Sequence, residues 1–169
     1  MNFDDLQAGD HVFIDANIFI YHFLGQSADC RQLLSRCHQG TLRGVTATFI
    51  VAEVMHRLMT AEAVARGLIT SSQVVKKLRE RPDIVQQLQT PNQCVQQIKA
   101  MKIEIAPLLV SMLEASVTVR QQHGLLTNDS LLVAAMQELN IQKLATFDHD
   151  FARVSALLTY QPTDISPTT

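Results

Sequence analysis

Acidic side chains that could hold a metal ion occur in four separated segments of the chain: these are Asp15, Glu53, Asp129 and the pair Asp148 and Asp150. Carboxylates that lie close together repel one another and hold their protons more tightly, so such a cluster needs cations to neutralise it. Hard divalent cations such as Mg²⁺ or Mn²⁺ prefer oxygen ligands of this kind. Two such ions about 3.5–4 Å apart can activate water and stabilise the leaving oxygen in phosphodiester cleavage. Metal-assisted hydrolysis is therefore the chemistry that these residue types suggest.

Each acidic position also has an ordinary structural explanation. Asp15 and Asp129 could cap the helices that follow them, and Asp148 and Asp150 could be turn residues. Glu53 could lie on a solvated helix face, although apolar residues flank it on both sides. No single position is decisive, and it is their joint placement after strands and near helix starts that favours a common site.

The segments that must position these carboxylates alternate between strand-like and helix-like patterns. Strands are predicted at 12–14, 44–46, 102–106 and 143–147. Helices are predicted at 16–24, 28–39, 48–67 (with Thr48 as its cap), 107–123 and 130–139. Strands separated by helices indicate a parallel α/β sheet, in which sites form beyond the carboxyl ends of the strands. Asp15 and Asp148 follow two predicted strands and should meet at that edge.

Length and composition favour one domain over residues 1–161 with a loose tail at 162–169. The 169 residues are 47% hydrophobic and carry a net charge of −2, so any nucleic-acid-binding surface must be local. The three cysteines show no zinc-type spacing, and Cys30 and Cys37 have the spacing of core residues in a helix. The sequence begins without a signal-peptide pattern and has no apolar run long enough to cross a bilayer. We expect a cytoplasmic protein that has no membrane partner.

Four stretches of sequence together carry a family resemblance. They are FIDANIFIY at 13–21, TFIVAEV at 48–54, LTNDSLLVAA at 126–135 and LATFDHDF at 144–151. In this order they resemble PIN-domain nucleases, especially the VapC-like toxins of bacterial toxin–antitoxin pairs. The resemblance covers roughly residues 12–151. It implies a three-layer α/β fold with a parallel sheet of four to five strands flanked by helices.

The resemblance also implies roles for particular residues. The catalytic, metal-binding carboxylates would be Asp15, Glu53, Asp129 and Asp148. Asp150 would support the metal site or share the role of Asp148, while Asn17 and Thr146 would orient the metal shell or the phosphate through hydrogen bonds. The implied activity is a Mg²⁺- or Mn²⁺-dependent endoribonuclease that uses metal-activated water. The implied partners are an RNA substrate, an antitoxin protein and a second copy of the chain in a homodimer.

The chain departs from the compact toxins of this family in a helical insertion at about 68–101. Within it, four basic residues fall in six positions, namely Lys76, Lys77, Arg79 and Arg81. Contacts to phosphates supply affinity for nucleic acid without regard to sequence, so these residues are predicted to bind RNA. An ordinary solvated helix face is the alternative explanation.

Two other functions compete with the nuclease. A phosphatase of the haloacid-dehalogenase kind would also place an Asp after the first strand, but it needs a second Asp where this chain has Asn17. It also needs a Lys near a late acidic pair, and Lys143 fits that position poorly. A non-catalytic binding module on a PIN scaffold is the other alternative, which the retained carboxylates disfavour.

Overall fold

Five short strands pair in parallel to form one sheet in the computed structural model, which describes residues 1–166. The strands are β1 His11–Ile14, β2 Arg43–Ala47, β3 Glu104–Ala106, β4 Lys143–Ala145 and β5 Leu158–Tyr160, in the order β3-β2-β1-β4-β5. All four neighbouring pairs are parallel. The predicted α/β class with a parallel sheet of four to five strands is confirmed.

Eight α-helices flank or connect these strands in the described chain. They are α1 Ala16–Phe23, α2 Ala28–His38, α3 Thr48–Ala65, α4 Val74–Glu80, α5 Pro82–Val85, α6 Thr90–Ala100, α7 Val110–His123 and α8 Thr127–Glu138. Two short 3₁₀ helices span Phe3–Asp5 and His149–Arg153. Across residues 1–166, every helix is too short or too polar to traverse a bilayer.

The strand order places a switch in chain direction beside β1. From β1 the chain adds β2 and β3 on one side of the sheet, and it then crosses back to add β4 and β5 on the other side. Ile14 at the end of β1 pairs with Ala145 at the end of β4. Ligands of open α/β sheets bind at such a switch point, beyond the carboxyl ends of the strands. Asp15 and Thr146 are the residues that directly follow these two strand ends.

The central strands are buried on both faces, as parallel strands covered by helices require. Val12, Phe13 and Ile14 are fully buried in the main core. Gly44 in β2 permits the close approach of α2, because an added Cβ would lie 2.9 Å from the Sγ of Cys37. The cysteines at 30, 37 and 94 are buried and unpaired, as expected for core thiols.

Three predictions at helix starts are wrong. Helix α7 begins at Val110, three residues after the predicted start at 107. Ala47, without a side-chain hydrogen bond, is the N-cap of α3, and the Thr48 hydroxyl instead accepts a hydrogen bond of 3.1 Å from the Leu108 amide. Helix α8 begins at Thr127, three residues before the predicted start at Ser130. Asp129 therefore lies within the first turn of α8, and the alternative that it caps this helix is not borne out.

The predicted helical insertion forms α4, α5 and α6, and its two ends pack differently. Cys94 and Ile98 of α6 belong to the main core. The α4–α5 part instead rests on a second, smaller cluster of buried side chains, which consists of Ala63, Ile69, Leu78, Ile84 and Leu88. This satellite cluster joins α4 and α5 to the end of α3.

The segment that starts at Pro162, expected to be a loose tail, is held against α2 at its beginning. Pro162 is buried, and the carboxylate of Asp164 accepts hydrogen bonds from the Ser27 hydroxyl at 2.7 Å and the Ala28 amide at 2.6 Å. These bonds help to cap α2, which gives residues 162–164 a fixed position. Residues 167–169 lie outside the described residues.

Candidate active site

Asp15 lies between β1 and α1, and both oxygens of its carboxylate accept hydrogen bonds from neighbouring residues. One oxygen accepts a hydrogen bond of 2.6 Å from the Ala16 amide. The other accepts hydrogen bonds of 2.7 Å from the Thr146 hydroxyl and from the side-chain amide of Asn17. The residue is 8% exposed. Asp15 therefore caps α1, as its ordinary structural explanation holds, and it is also a fixed carboxylate at the switch point of the sheet.

Asn17 and Thr146 connect the start of α1 to the end of β4. The side-chain oxygen of Asn17 accepts a hydrogen bond of 3.1 Å from the Phe147 amide. The Thr146 hydroxyl accepts one of 3.0 Å from the Asp148 amide while it donates to Asp15. These bonds fix the direction in which the chain leaves β4, and so they position Asp148.

Four carboxylates from four different elements line one open pocket of about 230 Å³, and they are Asp15, Glu53, Asp129 and Asp148. Glu53 lies in the second turn of α3, and Asp129 lies in the first turn of α8. The N-terminal end of a helix carries a partial positive charge, which favours a carboxylate at the position of Asp129. The structure thus brings the predicted catalytic residues to one place.

Asp150 stands apart from this pocket. Its carboxylate forms an ion pair of 2.8 Å with Arg153, and it is absent from the described residues that line the pocket. Its amide donates a hydrogen bond of 2.8 Å to the Asp148 carboxylate. Asp150 is therefore placed to orient Asp148 and to add charge, and not to reach the pocket directly.

The electrostatics of the pocket are those of a self-repelling acidic cluster. Burial, helped by the charges of Glu53 and Asp148, raises the pKa of Asp15 to about 6 despite the lowering effect of its hydrogen bonds. Burial is also the main cause that raises the pKa of Asp129, followed by the charges of Asp148, Asp150 and Glu53. Each ionised carboxylate here makes the next one harder to ionise.

The donor set fits a hard, hydrated divalent cation. In the described part of the chain, no three His, Cys, Asp or Glu side chains lie close enough together to hold a metal ion as they stand. Mg²⁺ does not need three protein ligands, because it usually binds through one or two carboxylates and keeps several waters. A cation among Asp15, Glu53, Asp129 and Asp148 would relieve their repulsion.

Sequence reasoning did not assign two polar residues of this pocket, Arg57 and Asn128. Arg57 lies four positions after Glu53 on α3, which is the spacing that places two side chains on one helix face. That spacing could have identified it. Asn128 directly precedes Asp129, and its place in the pocket depends on the start of α8 at Thr127.

The four basic residues predicted to bind RNA do not share one free surface. Lys77 donates hydrogen bonds to the hydroxyls of Thr70 and Ser72, and Arg81 pairs with Asp83 at 2.8 Å. Arg79 is exposed. Lys76 alone among the four lines the α3–α4 groove, an open cleft lined by His56, Arg57, Thr60, Gln73, Val74, Val75 and Lys76.

Solved structures with the same fold include several toxins. A toxin–antitoxin complex from Klebsiella pneumoniae is 19% identical, with a TM-score of 0.56 over 88% of this chain and 96% of that one. VapBC2 from Rickettsia felis, bound to a DNA fragment from its promoter, is 14% identical, with a TM-score of 0.58 over 90% and 98%. VapC20 from Mycobacterium tuberculosis, a toxin that cleaves the sarcin–ricin loop, is 11% identical, with a TM-score of 0.55 over 92% and 99%.

A search of curated protein sequences finds no match. The family model of the PIN domain, however, matches residues 12–157, which contain all four pocket carboxylates and most of the sheet. This membership supports a nuclease. The resemblance seen in the sequence is thereby confirmed, and the chain belongs to the PIN domain family.

Proposed function

We propose that this chain is a divalent-metal-dependent endoribonuclease that hydrolyses phosphodiester bonds of RNA. The observation that carries the proposal is the convergence of four carboxylates, from β1, α3, α8 and the end of β4, on one pocket at the switch point of the sheet. Asp15, Glu53, Asp129 and Asp148 would hold the metal. When bound, Mg²⁺ or Mn²⁺ supplies an activated water and offsets the charge that develops on the phosphate.

The chain's own residues would then fix geometry and charge. Thr146 and Asn17 hold Asp15 in place through hydrogen bonds of 2.7 Å, so this carboxylate keeps one orientation throughout the reaction. Glu53 and Asp148 are exposed to solvent and can adjust to the phosphate that enters. Arg57 lines the same pocket and can donate hydrogen bonds to a phosphate oxygen.

The phosphatase alternative fits this geometry less well. Asn17, which stands where the second Asp would be required, is committed to Asp15, Thr146 and the Phe147 amide. The non-catalytic alternative is decided by metal binding and cleavage.

The experiment is cleavage of labelled single-stranded RNA by the purified chain, with Mg²⁺ or Mn²⁺, with EDTA, and with metal restored after EDTA. We expect cleavage that needs the metal and that Asp129→Asn abolishes. Glu138→Gln removes an exposed acidic side chain from the other end of α8 and serves as the matched control, which should keep full activity.

Cleavage that persists in EDTA, or that survives in the Asp129→Asn protein, would contradict the proposal. Absence of Mn²⁺ binding by calorimetry, together with absence of cleavage, would favour the non-catalytic binding module. Hydrolysis of a small chromogenic phosphate monoester in place of RNA would favour the phosphatase.

We further propose that the chain is the toxin of a type II toxin–antitoxin pair. Two of the solved structures that share its fold are complexes of this kind. Expression of the wild-type chain should arrest bacterial growth, whereas the Asp129→Asn protein should not. Normal growth with an active, folded nuclease would remove the toxin role and leave the nuclease intact.

A homodimer is part of the same proposal. Val110, Leu113 and Val117 follow one face of α7 and are exposed by 70%, 46% and 45%, which is unusual for apolar side chains on one helix face. A second copy could cover this face. Sedimentation of the wild-type chain and of Leu113→Glu should show a dimer and a monomer, respectively, and a wild-type monomer would contradict it.

A further inference from the structure

The α3–α4 groove is larger than the carboxylate pocket, and no role has been assigned to it so far. Its volume is about 630 Å³, compared with about 230 Å³ for the carboxylate pocket. Val74 and Val75 give it an apolar side, while His56, Arg57 and Lys76 give it hydrogen-bond donors. This combination of apolar surface and donors suits a ligand that carries both flat, weakly polar groups and phosphates.

The groove and the pocket share one lining residue. Arg57 lines both of them. Along α3, Glu53 lines the pocket, Arg57 lies at the junction, and Thr60 lies in the groove. Residues at this spacing follow one side of a helix, so the face of α3 leads from the carboxylates directly into the groove.

The charge of the groove is the reverse of the charge of the pocket. Its lining contains Arg57 and Lys76 and, over the described residues, no Asp or Glu. Neither side chain takes part in an ion pair within residues 1–166, whereas nearby Arg66 pairs with Glu62 at 3.0 Å and Arg81 pairs with Asp83 at 2.8 Å. The two cations of the groove therefore remain available, whereas Arg66 and Arg81 nearby are neutralised.

We propose that the α3–α4 groove holds the part of the RNA strand that flanks the scissile phosphate. Arg57 contacts the phosphate at the junction, Lys76 contacts a phosphate farther along, and Val74 and Val75 pack against the sugars or bases. This inference rests on the proposed function. An acidic peptide could also bind two cations. The shared residue Arg57 and the common side of α3 favour instead the strand whose phosphodiester must enter the carboxylate pocket.

The proposed groove includes fewer of the basic residues that the sequence predicted to bind RNA. Lys77 is occupied by the loop that contains Thr70 and Ser72, and Arg81 is occupied by Asp83. Arg79 is exposed on the same helix as Lys76 but does not line the groove. Lys76 is therefore singled out from the four, and Arg57, which lies outside the insertion, joins it.

The test measures RNA binding by Asp129→Asn protein, which does not consume its ligand. The probe is a fluorescent oligouridylate of about 12 nucleotides, within the site sizes known for single-stranded nucleic acid. Affinity is followed across a salt series in the presence of Mg²⁺. Arg57→Gln and Lys76→Gln are introduced singly, and Lys99→Gln, an exposed residue of α6, is the charge-matched control.

Each groove variant should weaken binding several-fold and reduce the slope of log affinity against log salt by about 0.7, the loss of one phosphate contact on a single strand. Lys99→Gln should keep the slope of the parent. All three side chains are exposed, so circular dichroism and melting should show unchanged folds.

Several results would contradict the proposal that the groove binds RNA. An unchanged salt slope in Lys76→Gln and Arg57→Gln, with metal-dependent cleavage intact, would reject the groove and keep the nuclease. An equal loss in Arg79→Gln would show that the outer face of α4 binds RNA instead. Variants that bind RNA normally but lose an acidic partner peptide would assign the groove to a protein.

Discussion

The carboxylate pocket and the α3–α4 groove meet at Arg57, but different parts of the fold build them. The pocket lies on strand ends and helix starts that are anchored in the main core, and its Asp15 is fixed by a buried hydrogen-bond network. The groove lies between one face of α3 and the short helix α4, which rests on the satellite cluster. A catalytic pocket needs the rigid support of the main core, because small displacements of reacting groups slow the reaction. A groove that contacts the RNA backbone without regard to sequence can rest on the smaller satellite cluster.

The largest expected contrast is between two residues one turn apart on α3. Glu53→Gln should reduce single-turnover cleavage by more than about 100-fold, because even residues that only support metal ligands cost about 10–100-fold when changed. It should also weaken Mn²⁺ binding. Arg57→Gln should instead raise the RNA concentration needed for half-maximal rate and leave Mn²⁺ affinity unchanged.

Single-turnover rates, RNA titrations and Mn²⁺ calorimetry on the two variants measure this contrast. If Arg57→Gln also abolished Mn²⁺ binding, the carboxylate pocket and the α3–α4 groove would form one functional unit. If Glu53→Gln kept full activity, Glu53 would be an exposed residue of a helix face, as its structural alternative holds.

The next contrast is between Asp148 and Asp150. Asp148 lines the pocket, whereas Asp150 pairs with Arg153 at 2.8 Å outside it. Asp148→Ala should therefore reduce cleavage by about 100-fold and Asp150→Ala by about 10-fold at most, the range for a supporting residue. Initial rates at saturating Mg²⁺ compare them, with Arg153→Gln as the control for the lost ion pair. The reverse order would make Asp150 the metal ligand.

Sequence could predict the part of the site that follows directly from strand ends. Asp15 follows β1, and Asp148 lies three residues after β4, so the parallel-sheet rule places them at one edge. The strand β5 was not predicted at its own position, because its three residues are too few to show a clear alternating pattern. The sheet class did not depend on it.

Features that arise from tertiary packing could not be predicted in the same way. Four basic residues lie close together in the sequence, which suggested one basic surface: Lys76, Lys77, Arg79 and Arg81. In the fold, however, Lys77 is bound by Thr70 and Arg81 is bound by Asp83. The sequence did not predict a role for Arg57 in the site. Its role at the junction depends on how α4 lies beside α3.

A smaller effect concerns the stability of the metal-free pocket. The pKa of Asp15 in the fold is about 6, above its ordinary value of 3.8, so the folded chain holds this proton more tightly than the unfolded chain. The stability gained from protonation is complete below pH 3.8 and is lost as the pH rises through about 6. Metal-free protein should therefore melt at a lower temperature near pH 7 than near pH 5.

Asp15→Asn should remove much of this pH dependence. A shift from 3.8 to about 6 corresponds to roughly 3 kcal/mol at most. The stabilisation of the variant near neutral pH should be smaller than this, because its NH2 group cannot accept the hydrogen bond that Asn17 donates to the second carboxylate oxygen of Asp15. Asparagine retains an oxygen that can accept from the Ala16 amide, which preserves the cap. Melting of both proteins across this pH range in EDTA is the measurement, and a strongly destabilised variant would show that Asp15 serves mainly as a structural cap.

The smallest expected effect separates the two supporting cores. Leu78 is buried in the satellite cluster, and Leu78→Ala should cost about 2 kcal/mol, near the low end for such substitutions, because this small cluster can relax around the lost side chain. The loss should be local, since regions with few buried contacts open independently of the main core. Amides of α4 and α5 should exchange hydrogen faster, while those of β1 and β4 keep their protection. Leu34→Ala in the main core is the control and should destabilise every element. Mn²⁺ affinity should survive Leu78→Ala while the affinity for oligouridylate falls, and a uniform loss of protection would mean that groove and pocket rest on one cooperative core.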